Sequence, residues 1–208
     1  MRSVMLFGDS NTHGTLPVPA LGQGSRMDLA ARWTTHFAAH LPGWQVIAEG
    51  QPGRTTVHDD PIEGAHRNGL TILPALLESH APLDVVVIML GTNDLKPRFA
   101  VPVVDIALGL ERLVATIRTF SPSTQAMLVA PPPITESGCL ADMFGGGTAK
   151  SARLPAEIAA AAARTGTAFF DAGPHLTVSP VDGIHYAPGG MPAFALALAQ
   201  AFRHHFGD

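Results

Sequence analysis

Five short apolar runs divide the chain and predict the strands of one sheet. Several of them are continuous rather than alternating, which is typical of strands that are buried on both faces of a parallel sheet. We predict strands over residues 3–7, 45–48, 85–90, 126–129 and 168–170.

Helical patterns separate these runs. Pro102 suits the first turn of a helix whose apolar residues recur at 3.6-residue spacing on one face. These residues are Val103, Ile106, Leu110, Leu113, Val114 and Ile117. Residues 155–164 are rich in alanine and are followed by Gly166, which can end a helix. Residues 191–206 predict a closing helix.

The alternation of strand and helix implies right-handed crossovers. We therefore predict an α/β protein, a three-layer α/β/α sandwich with a central five-stranded parallel sheet, in one domain over residues 1–208. Two long loops, residues 15–27 and 131–150, interrupt the pattern, and loops of this length are usually functional or mobile. Gly145-Gly146-Gly147 in the second loop lacks the lysine of a phosphate-binding loop and predicts a flexible flap.

The composition of the chain argues against several classes of function. The net charge is −4 and there is no Lys/Arg cluster, so nucleic-acid binding is not expected. No apolar stretch approaches the length of a membrane span, and the run at residues 4–7 is too short for a secretory signal. Cys139 is the only cysteine, which excludes an internal disulfide and favours a reducing compartment. We expect a cytoplasmic protein.

Ser10 follows the first predicted strand in the sequence Gly8-Asp9-Ser10-Asn11. Ligands of such sheets bind beyond the carboxyl ends of the strands. A serine placed there can present its hydroxyl and its own N–H to one substrate oxygen, although a serine in a turn is also a common helix cap. The tetrapeptide alone leaves both alternatives open.

Two further strand ends carry candidate donors. Asn93, in Gly91-Thr92-Asn93-Asp94, offers an amide that can stabilise an oxyanion, while an Asx-turn is the alternative. Gly53 follows the second strand, where a glycine lets a backbone N–H approach a ligand closely. An ordinary turn would explain Gly53 equally well if it stood alone.

An acid–base pair precedes the closing helix. Histidine is well matched to general-base chemistry near neutral pH, and Asp182 lies three residues before His185. An aspartate at that spacing can fix the imidazole tautomer and leave the other ring nitrogen for a serine hydroxyl. Together, the three strand-end loops and this pair supply the parts of an acyl-transfer site.

The order of these motifs resembles the SGNH (GDSL-like) hydrolase superfamily. The wider sequence is similar to its small bacterial arylesterases and acetyl esterases, some of which are also acyltransferases. The segments that carry the resemblance run from Phe7 to Tyr186: FGDSNTHG, EGQPGRTT, DDP, IMLGTNDLK, DIALG, APPP, FFDAG and DGIHY. The resemblance implies the flavodoxin-like SGNH fold and a serine esterase for short-chain acetyl or aryl esters.

The resemblance also implies residue roles. Ser10 would be the nucleophile, His185 the base and Asp182 its orienting partner. The oxyanion hole would consist of the Ser10 and Gly53 backbone N–H groups and the Asn93 side chain. Asp9 and Asp94 would brace the loops, and neither a metal nor an organic cofactor would be needed.

Two residues are predicted to contact substrate. Related arylesterases often carry a tryptophan where this chain has His13, so we expect His13 to line the acyl or alcohol pocket. Arg54 follows the proposed oxyanion glycine, and it either contacts substrate or ties two loops together.

Other interpretations remain open from the sequence. A carbohydrate acetylesterase, a thioesterase or a lysophospholipase would use the same triad, and a degenerate hydrolase frame would only bind a ligand. The resembled group tends to form homo-oligomers, sometimes octamers, and residues 95–102 are a candidate contact. Among the histidines, His58 with Asp59 and Asp60 is the best candidate for a loop metal site, but turn chemistry before Pro61 is favoured.

Overall fold

The five predicted strands form one parallel sheet in the computed structural model, which describes residues 1–208. Each observed strand contains or closely matches a predicted apolar run. The strands are β1 (Arg2–Gly8), β2 (Trp44–Gly50), β3 (Val85–Met89), β4 (Gln125–Ala130) and β5 (Ala168–Asp171). Their order across the sheet is β2-β1-β3-β4-β5, so the chain winds outward from β1 in both directions. This is the flavodoxin-like order of a doubly wound sheet.

Seven α-helices connect and cover the strands. Their bounds are α1 (Ser10–His13), α2 (Trp33–Ala39), α3 (Gly69–Ser79), α4 (Val103–Phe120), α5 (Gly147–Ser151), α6 (Leu154–Thr165) and α7 (Met191–Phe206). The three predicted helices correspond to α4, α6 and α7, and Gly166 ends α6 in the left-handed conformation. No helix combines the length and apolar character that crossing a membrane requires.

Helices α2 and α3 were not among the predicted ones. Helix α2 has only seven residues, two of them threonines, and α3 carries Pro74 in its interior. A proline inside a helix removes a hydrogen-bond donor and ordinarily marks a helix end, so the local pattern does not indicate this one. Packing of Leu73 and Leu77 against the sheet stabilises α3 instead.

Two hydrophobic cores lie on opposite faces of the sheet. Side chains alternate across the faces along β1, so that Met5 and Phe7 enter one core while Val4 and Leu6 enter the other. Helices α3, α4 and α6 cover the first core, and α2 and α7 cover the second. The predicted three-layer α/β/α sandwich is therefore confirmed.

The segment predicted to be a flexible flap carries short helical turns. Two 3-10 turns, Gly138–Leu140 and Asp142–Phe144, lead into α5. Gly147 begins α5 and is buried, and a Cβ there would lie 2.8 Å from Cδ1 of Ile134. Leu140 and Phe144 are buried as well.

Glycines at the strand ends position α1. Gly8 and Gly50 are paired neighbours at the carboxyl ends of β1 and β2. A Cβ on Gly50 would lie 2.1 Å from the backbone nitrogen of His13, and one on Gly8 would lie 2.0 Å from Oγ1 of Thr12. The absence of side chains at both positions lets α1, which begins with Ser10, pack directly on the end of the sheet.

Candidate active site

Ser10, His185 and Asp182 form a continuous hydrogen-bonded chain. Ser10 Oγ lies 3.1 Å from Nε2 of His185, and Nδ1 of His185 lies 2.6 Å from Oδ2 of Asp182. All three residues are buried, with Ser10 and His185 each 6% exposed and Asp182 fully enclosed. The structure thus brings together the three side chains that the sequence analysis selected, although 175 positions separate Ser10 from His185.

The carboxylate of Asp182 is saturated with donors. Oδ1 accepts the backbone N–H groups of Ile184 and His185 at 3.0 and 2.9 Å, and Oδ2 accepts that of Val18 at 2.6 Å. Burial opposes ionisation, but the hydrogen bonds from the His185 ring and from these backbone groups outweigh it and hold the pKa of Asp182 below its usual value. Asp182 is therefore anionic near neutral pH.

Asn11 joins the serine loop to the histidine loop. Its amide nitrogen donates to the carbonyl of Ile184 at 3.3 Å, and its amide oxygen accepts the N–H of Tyr186 at 3.0 Å. These two backbone groups flank His185, so Asn11 sets the distance between the imidazole and Ser10. No sequence motif indicates this role of Asn11, because the bond joins residues 175 positions apart.

Two backbone N–H groups beside Ser10 have no acceptor in the protein. They belong to Ser10 and Gly53, and both residues line the same cavity as Asn93. Gly53 adopts a φ of 77°, a left-handed conformation that favours glycine. The Asn93 amide donates to the carbonyl of Arg54 at 3.1 Å and only weakly, at 3.5 Å, to Oδ2 of Asp9. Ser10, Gly53 and Asn93 therefore each place an N–H donor at the lining of one cavity.

The cavity above Ser10 has a volume of about 180 Å³. It is lined by Ser10, Thr15, Val18, Pro52, Gly53, Glu63, Asn93, Lys96, Leu140, Met143, Phe144, Ile184 and His185. A larger cavity, about 340 Å³, opens near Gln125 and His205 at the other end of the sheet and contains neither Ser10 nor His185.

The cavity has one apolar wall and one charged wall, and sequence reasoning found neither. Leu140, Met143 and Phe144 come from the irregular segment between β4 and α6 and form the apolar wall with Ile184. Glu63 and Lys96 form the charged wall, hereafter the Glu63–Lys96 wall, and Nζ of Lys96 donates to Oε1 of Glu63 at 3.1 Å. The only sequence signal for Lys96 was its place at the end of the IMLGTNDLK segment.

His13 lies outside this cavity lining. Its Nδ1 is 3.1 Å from the hydroxyl of Thr15, which does line the cavity. Burial lowers the pKa of His13, and the positive charges of Arg26 and Arg32 lower it further. His13 therefore contacts Thr15, a residue of the cavity lining, but does not line the cavity itself.

Arg54 binds backbone rather than the cavity. Its side chain is buried and donates to the carbonyls of Gly8, at 2.9 Å, and of Glu49, while its guanidinium stacks 4.2 Å over the ring of Phe7. Burial lowers the pKa of Arg54 to about 10, which leaves it charged at neutral pH. Of the two roles considered for Arg54, the geometry favours tying the loops after β1 and β2 together.

The two aspartates of the sequence motifs brace the site. Asp9 accepts the N–H of Asn11 at 2.9 Å, and burial raises the pKa of Asp9 to about 6 against the lowering effects of that bond and of the charges on His185 and Arg54. Asp94 accepts the N–H and hydroxyl of Thr56 and lies 3.0 Å from Nδ1 of His58. His58 is thus engaged by Asp94, and no group of three or more His, Cys, Asp or Glu side chains is arranged to hold a metal ion.

Comparisons with known proteins show which family the chain resembles in sequence and fold. The family model described as GDSL-like lipase/acylhydrolase matches residues 6–191. A carbohydrate acetylesterase from Sinorhizobium meliloti is 38% identical, with a TM-score of 0.94 over 99% of this chain and all of its own. The aryl esterase of M. smegmatis is 36% identical, with a TM-score of 0.93 over 98% of this chain and 99% of its own. The comparison with curated proteins found no match.

Proposed function

The chain belongs to the GDSL-like lipase/acylhydrolase family and is a carboxylic ester hydrolase, and on this premise we propose that it cleaves short-chain acetyl or aryl esters through an acyl-enzyme on Ser10. The observation that carries the proposal is the hydrogen-bonded chain from Ser10 through His185 to Asp182, beside two backbone N–H groups that have no protein acceptor.

The proposed reaction begins with attack of Ser10 Oγ on the ester carbonyl carbon. Nε2 of His185, 3.1 Å away, takes the hydroxyl proton as the C–O bond forms. The resulting imidazolium lies between Ser10 and the anionic Asp182, which stabilises its charge and holds the ring in place. His185 then gives the proton to the departing alkoxide, so that the alcohol leaves and the acyl group stays on Ser10.

A water molecule completes the cycle by the same path. His185 removes a proton from the water as it attacks the acyl carbon, and then returns the proton to Oγ of Ser10 when the carboxylic acid leaves. In both halves the carbonyl oxygen becomes an oxyanion. The N–H groups of Ser10 and Gly53 and the amide of Asn93 would each donate to it, and one such donor is typically worth about 3–4 kcal/mol.

The dimensions of the cavity support small substrates. A volume of about 180 Å³ is enough for a short acyl group with part of an alcohol. Acetyl and aryl esters are therefore better candidates than lysophospholipids. A thioester with a short acyl group would fit the same space, and an acyl-length series on a common leaving group separates these classes.

Hydrolysis of p-nitrophenyl acetate by the wild type and by Ser10→Ala tests the proposal. We expect Ser10→Ala to lose at least about 10⁴-fold in kcat, because Ser10 Oγ is the hydroxyl that is hydrogen-bonded to His185. Ser25→Ala is the matched control, since Ser25 is exposed in the loop of residues 15–27 and does not line the cavity. A fluorophosphonate probe should label the wild type at Ser10, and full turnover by Ser10→Ala would contradict the assignment.

We further propose that alcohols compete with water for the acyl-enzyme. The apolar wall of Leu140, Met143 and Phe144 supports this, because apolar side chains beside Ser10 offer water no hydrogen-bond partner. The measurement is the yield of ethyl butyrate relative to butyric acid when vinyl butyrate is supplied with ethanol in water. Detection of acid alone would contradict acyl transfer.

The quaternary state and location are proposals as well. We propose a homo-oligomer in which residues 95–102, with exposed Pro97, Ala100 and Pro102, contribute a contact. Light scattering that gives the mass of one 21.7 kDa chain would reject this.

The single cysteine supports a reducing, cytoplasmic setting, which fractionation of cells tests directly.

A further inference from the structure

Two arginines near the end of α1, Arg26 and Arg32, have guanidinium groups without a carboxylate partner. Nε of Arg26 donates to the carbonyl of His13 at 2.8 Å, and Nε of Arg32 donates to the carbonyl of Met27 at 2.9 Å. Their terminal nitrogens make no hydrogen bond within the protein, and no carboxylate oxygen lies within 4.0 Å of either group. The backbone therefore orients both groups while their terminal N–H donors stay free.

The pairing of the loop of residues 15–27 places Arg26 beside the cavity. Thr15 and Arg26 lie opposite each other in an antiparallel bridge at the base of this loop. The two backbone hydrogen bonds on either side of the bridge, 3.0 and 2.7 Å long, join the neighbouring residues rather than Thr15 and Arg26 themselves. In such a pair the two side chains lie close together on the same face. Since Thr15 lines the cavity above Ser10, the side chain of Arg26 lies directly beside the cavity lining.

Arg32 approaches the same turn. A Cβ on Gly14 would lie 2.9 Å from Cγ and Cδ of Arg32 and 3.1 Å from its Nε, so this side chain packs over Gly14. Gly14 stands between His13, whose carbonyl accepts the bond from Arg26, and Thr15. Both arginines therefore meet at one short turn next to the cavity.

Positive charge is concentrated at this turn without a bound counter-charge. An arginine remains protonated at neutral pH, so the two guanidinium groups repel each other. Burial lowers the pKa of Arg32 and the charge of Arg26 lowers it further, which the charge of Asp28 offsets in part. The same two arginines add to the effect of burial in lowering the pKa of His13. Such an arrangement is unfavourable in the free protein, and a bound anion relieves it.

The free donors match a particular chemistry. A guanidinium group is planar and presents its N–H donors in a fork that fits the oxygens of a carboxylate or a phosphate. The cavity, at about 180 Å³, holds a short acyl group with part of an alcohol, so the remainder of a larger alcohol extends beyond the lining. At Thr15 the residue beside that lining is Arg26.

We infer that Arg26 and Arg32 bind an anionic group, a carboxylate or a phosphate, on the alcohol portion of the preferred ester. The anionic group accepts hydrogen bonds from the free terminal nitrogens while the ester carbonyl lies at Ser10. The inference rests on the proposed function, since it describes the substrate of the same site. It assigns specificity to residues outside the triad, the oxyanion hole and the Glu63–Lys96 wall.

The test compares acetates that differ in charge at a distance from the reacting bond. 4-Acetoxyphenylacetate carries a carboxylate, and 4-acetoxyphenylacetamide replaces it with a neutral amide behind the same methylene group. 4-Acetoxyphenyl phosphate and 4-methoxyphenyl acetate form the corresponding pair for a phosphate. At low ionic strength we expect the wild type to favour the charged member of at least one pair by about fivefold or more in kcat/KM, mainly through a lower KM. The pair with the larger preference identifies the anionic group.

Variants assign the preference to the two arginines. Arg26→Gln and Arg32→Gln should each reduce it at least about threefold, and the double variant should abolish it. Arg112→Gln is the matched control, because it removes one exposed positive charge from α4 and should keep the wild-type preference. Addition of about 0.5 M NaCl should weaken the wild-type preference, since salt screens exposed charges, and a merely structural role would not respond in this way. Thermal unfolding checks each variant, and Arg26→Gln, at an exposed position, carries the test if Arg32→Gln does not fold.

Three results would overturn the inference: no preference for the charged member of either pair, a preference that persists in folded Arg26→Gln, or an equal loss of preference in Arg112→Gln. A lower mass of Arg26→Gln in light scattering, with its preference unchanged, would assign the arginine to a contact between copies of the chain and overturn the inference as well. Each of these leaves the proposed function intact if p-nitrophenyl acetate is still hydrolysed and Ser10 is still labelled by the fluorophosphonate. Failure of that labelling together with absence of any acetate turnover would instead contradict the proposed function.

Discussion

The backbone N–H of Val18 donates to Oδ2 of Asp182 at 2.6 Å, the same oxygen that lies 2.6 Å from Nδ1 of His185. The loop of residues 15–27 is therefore attached to the acid of the proposed triad. The thiol of Cys139 donates to the carbonyl of Val18 at 3.2 Å, so Val18 also joins this loop to the segment that forms the apolar wall. The geometry of the proposed triad and the position of the loop of residues 15–27 therefore both depend on the carboxylate of Asp182.

Asp182→Asn should reduce kcat by about 10⁴-fold and loosen the loop at the same time. The asparagine can keep its oxygen toward Ile184 and His185, but its amide nitrogen then faces the N–H of Val18 as a second donor. We expect faster tryptic cleavage after the exposed Arg26, together with loss of p-nitrophenyl acetate turnover. Ser10→Ala is the control, because it should lose turnover while its cleavage rate stays as in the wild type.

Asn93→Ala should lower kcat by about 10²–10³-fold and change KM little, because its amide is proposed to bind the oxyanion rather than the ground state. Steady-state kinetics with p-nitrophenyl acetate measure both constants. A variant that raised KM at constant kcat would show that Asn93 binds the substrate uniformly, contrary to this prediction.

Arg54→Lys should destabilise the protein rather than weaken substrate binding. A lysine cannot replace the bonds of Arg54 to Gly8, Glu49 and Gln51, so we expect the free energy of unfolding to fall by about 2–3 kcal/mol. Denaturant titration measures this against Arg112→Lys, an exposed control on α4. If Arg54→Lys left the stability unchanged but raised KM, Arg54 would instead be a substrate contact.

Asp9 should make stability depend on pH in the acidic range. The pKa of its carboxyl is about 6 in the folded protein, whereas the ordinary value for an aspartate is 3.8. Between these values the folded protein keeps a proton that the unfolded chain releases, so the free energy of unfolding falls as pH rises through this window. The total effect is about 3 kcal/mol.

Asp9→Asn removes this dependence while keeping an oxygen for the N–H of Asn11. Denaturant midpoints at a series of pH values should show the wild type losing stability relative to Asp9→Asn as pH rises from about 4 to about 6. Asp28→Asn, at an exposed position, is the control. Parallel curves for the wild type and Asp9→Asn would contradict the raised pKa.

Most of the fold could be predicted because the strands are continuous apolar runs. Val85–Met89 is buried at every position, and such a run has few alternatives to a central strand. The observed ends of β1, β2, β4 and β5 extend one or two residues beyond the predicted ones, as at Gly50, whereas β3 ends at Met89, one residue before its predicted end. Helix α3 was not predicted because its stability comes from tertiary packing, which outweighs the unfavourable effect of Pro74 inside the helix.

The proposed catalytic residues could be identified because each follows a strand end or precedes a helix in a recognisable motif. The residues that form the walls of the cavity could not be identified in this way. Glu63 and Lys96 are 33 positions apart, and no periodic pattern connects them. The positions of the apolar side chains Leu140, Met143 and Phe144 depend on close backbone packing that no motif indicates. At Gly138, for example, a Cβ would lie 1.9 Å from the carbonyl oxygen of Val181. Substrate preference is therefore the property that sequence motifs describe least.

The bridge that Asn11 makes to Ile184 and Tyr186 has a consequence for how activity arises during synthesis. During synthesis Ser10 precedes His185, its proposed base, by 175 positions. A nascent chain can assemble β1 to β4 while Ser10 still lacks His185. On the proposed mechanism, ester cleavage begins only when residues 182–186 bind Asn11, so turnover reports that this loop has closed rather than that the sheet has formed.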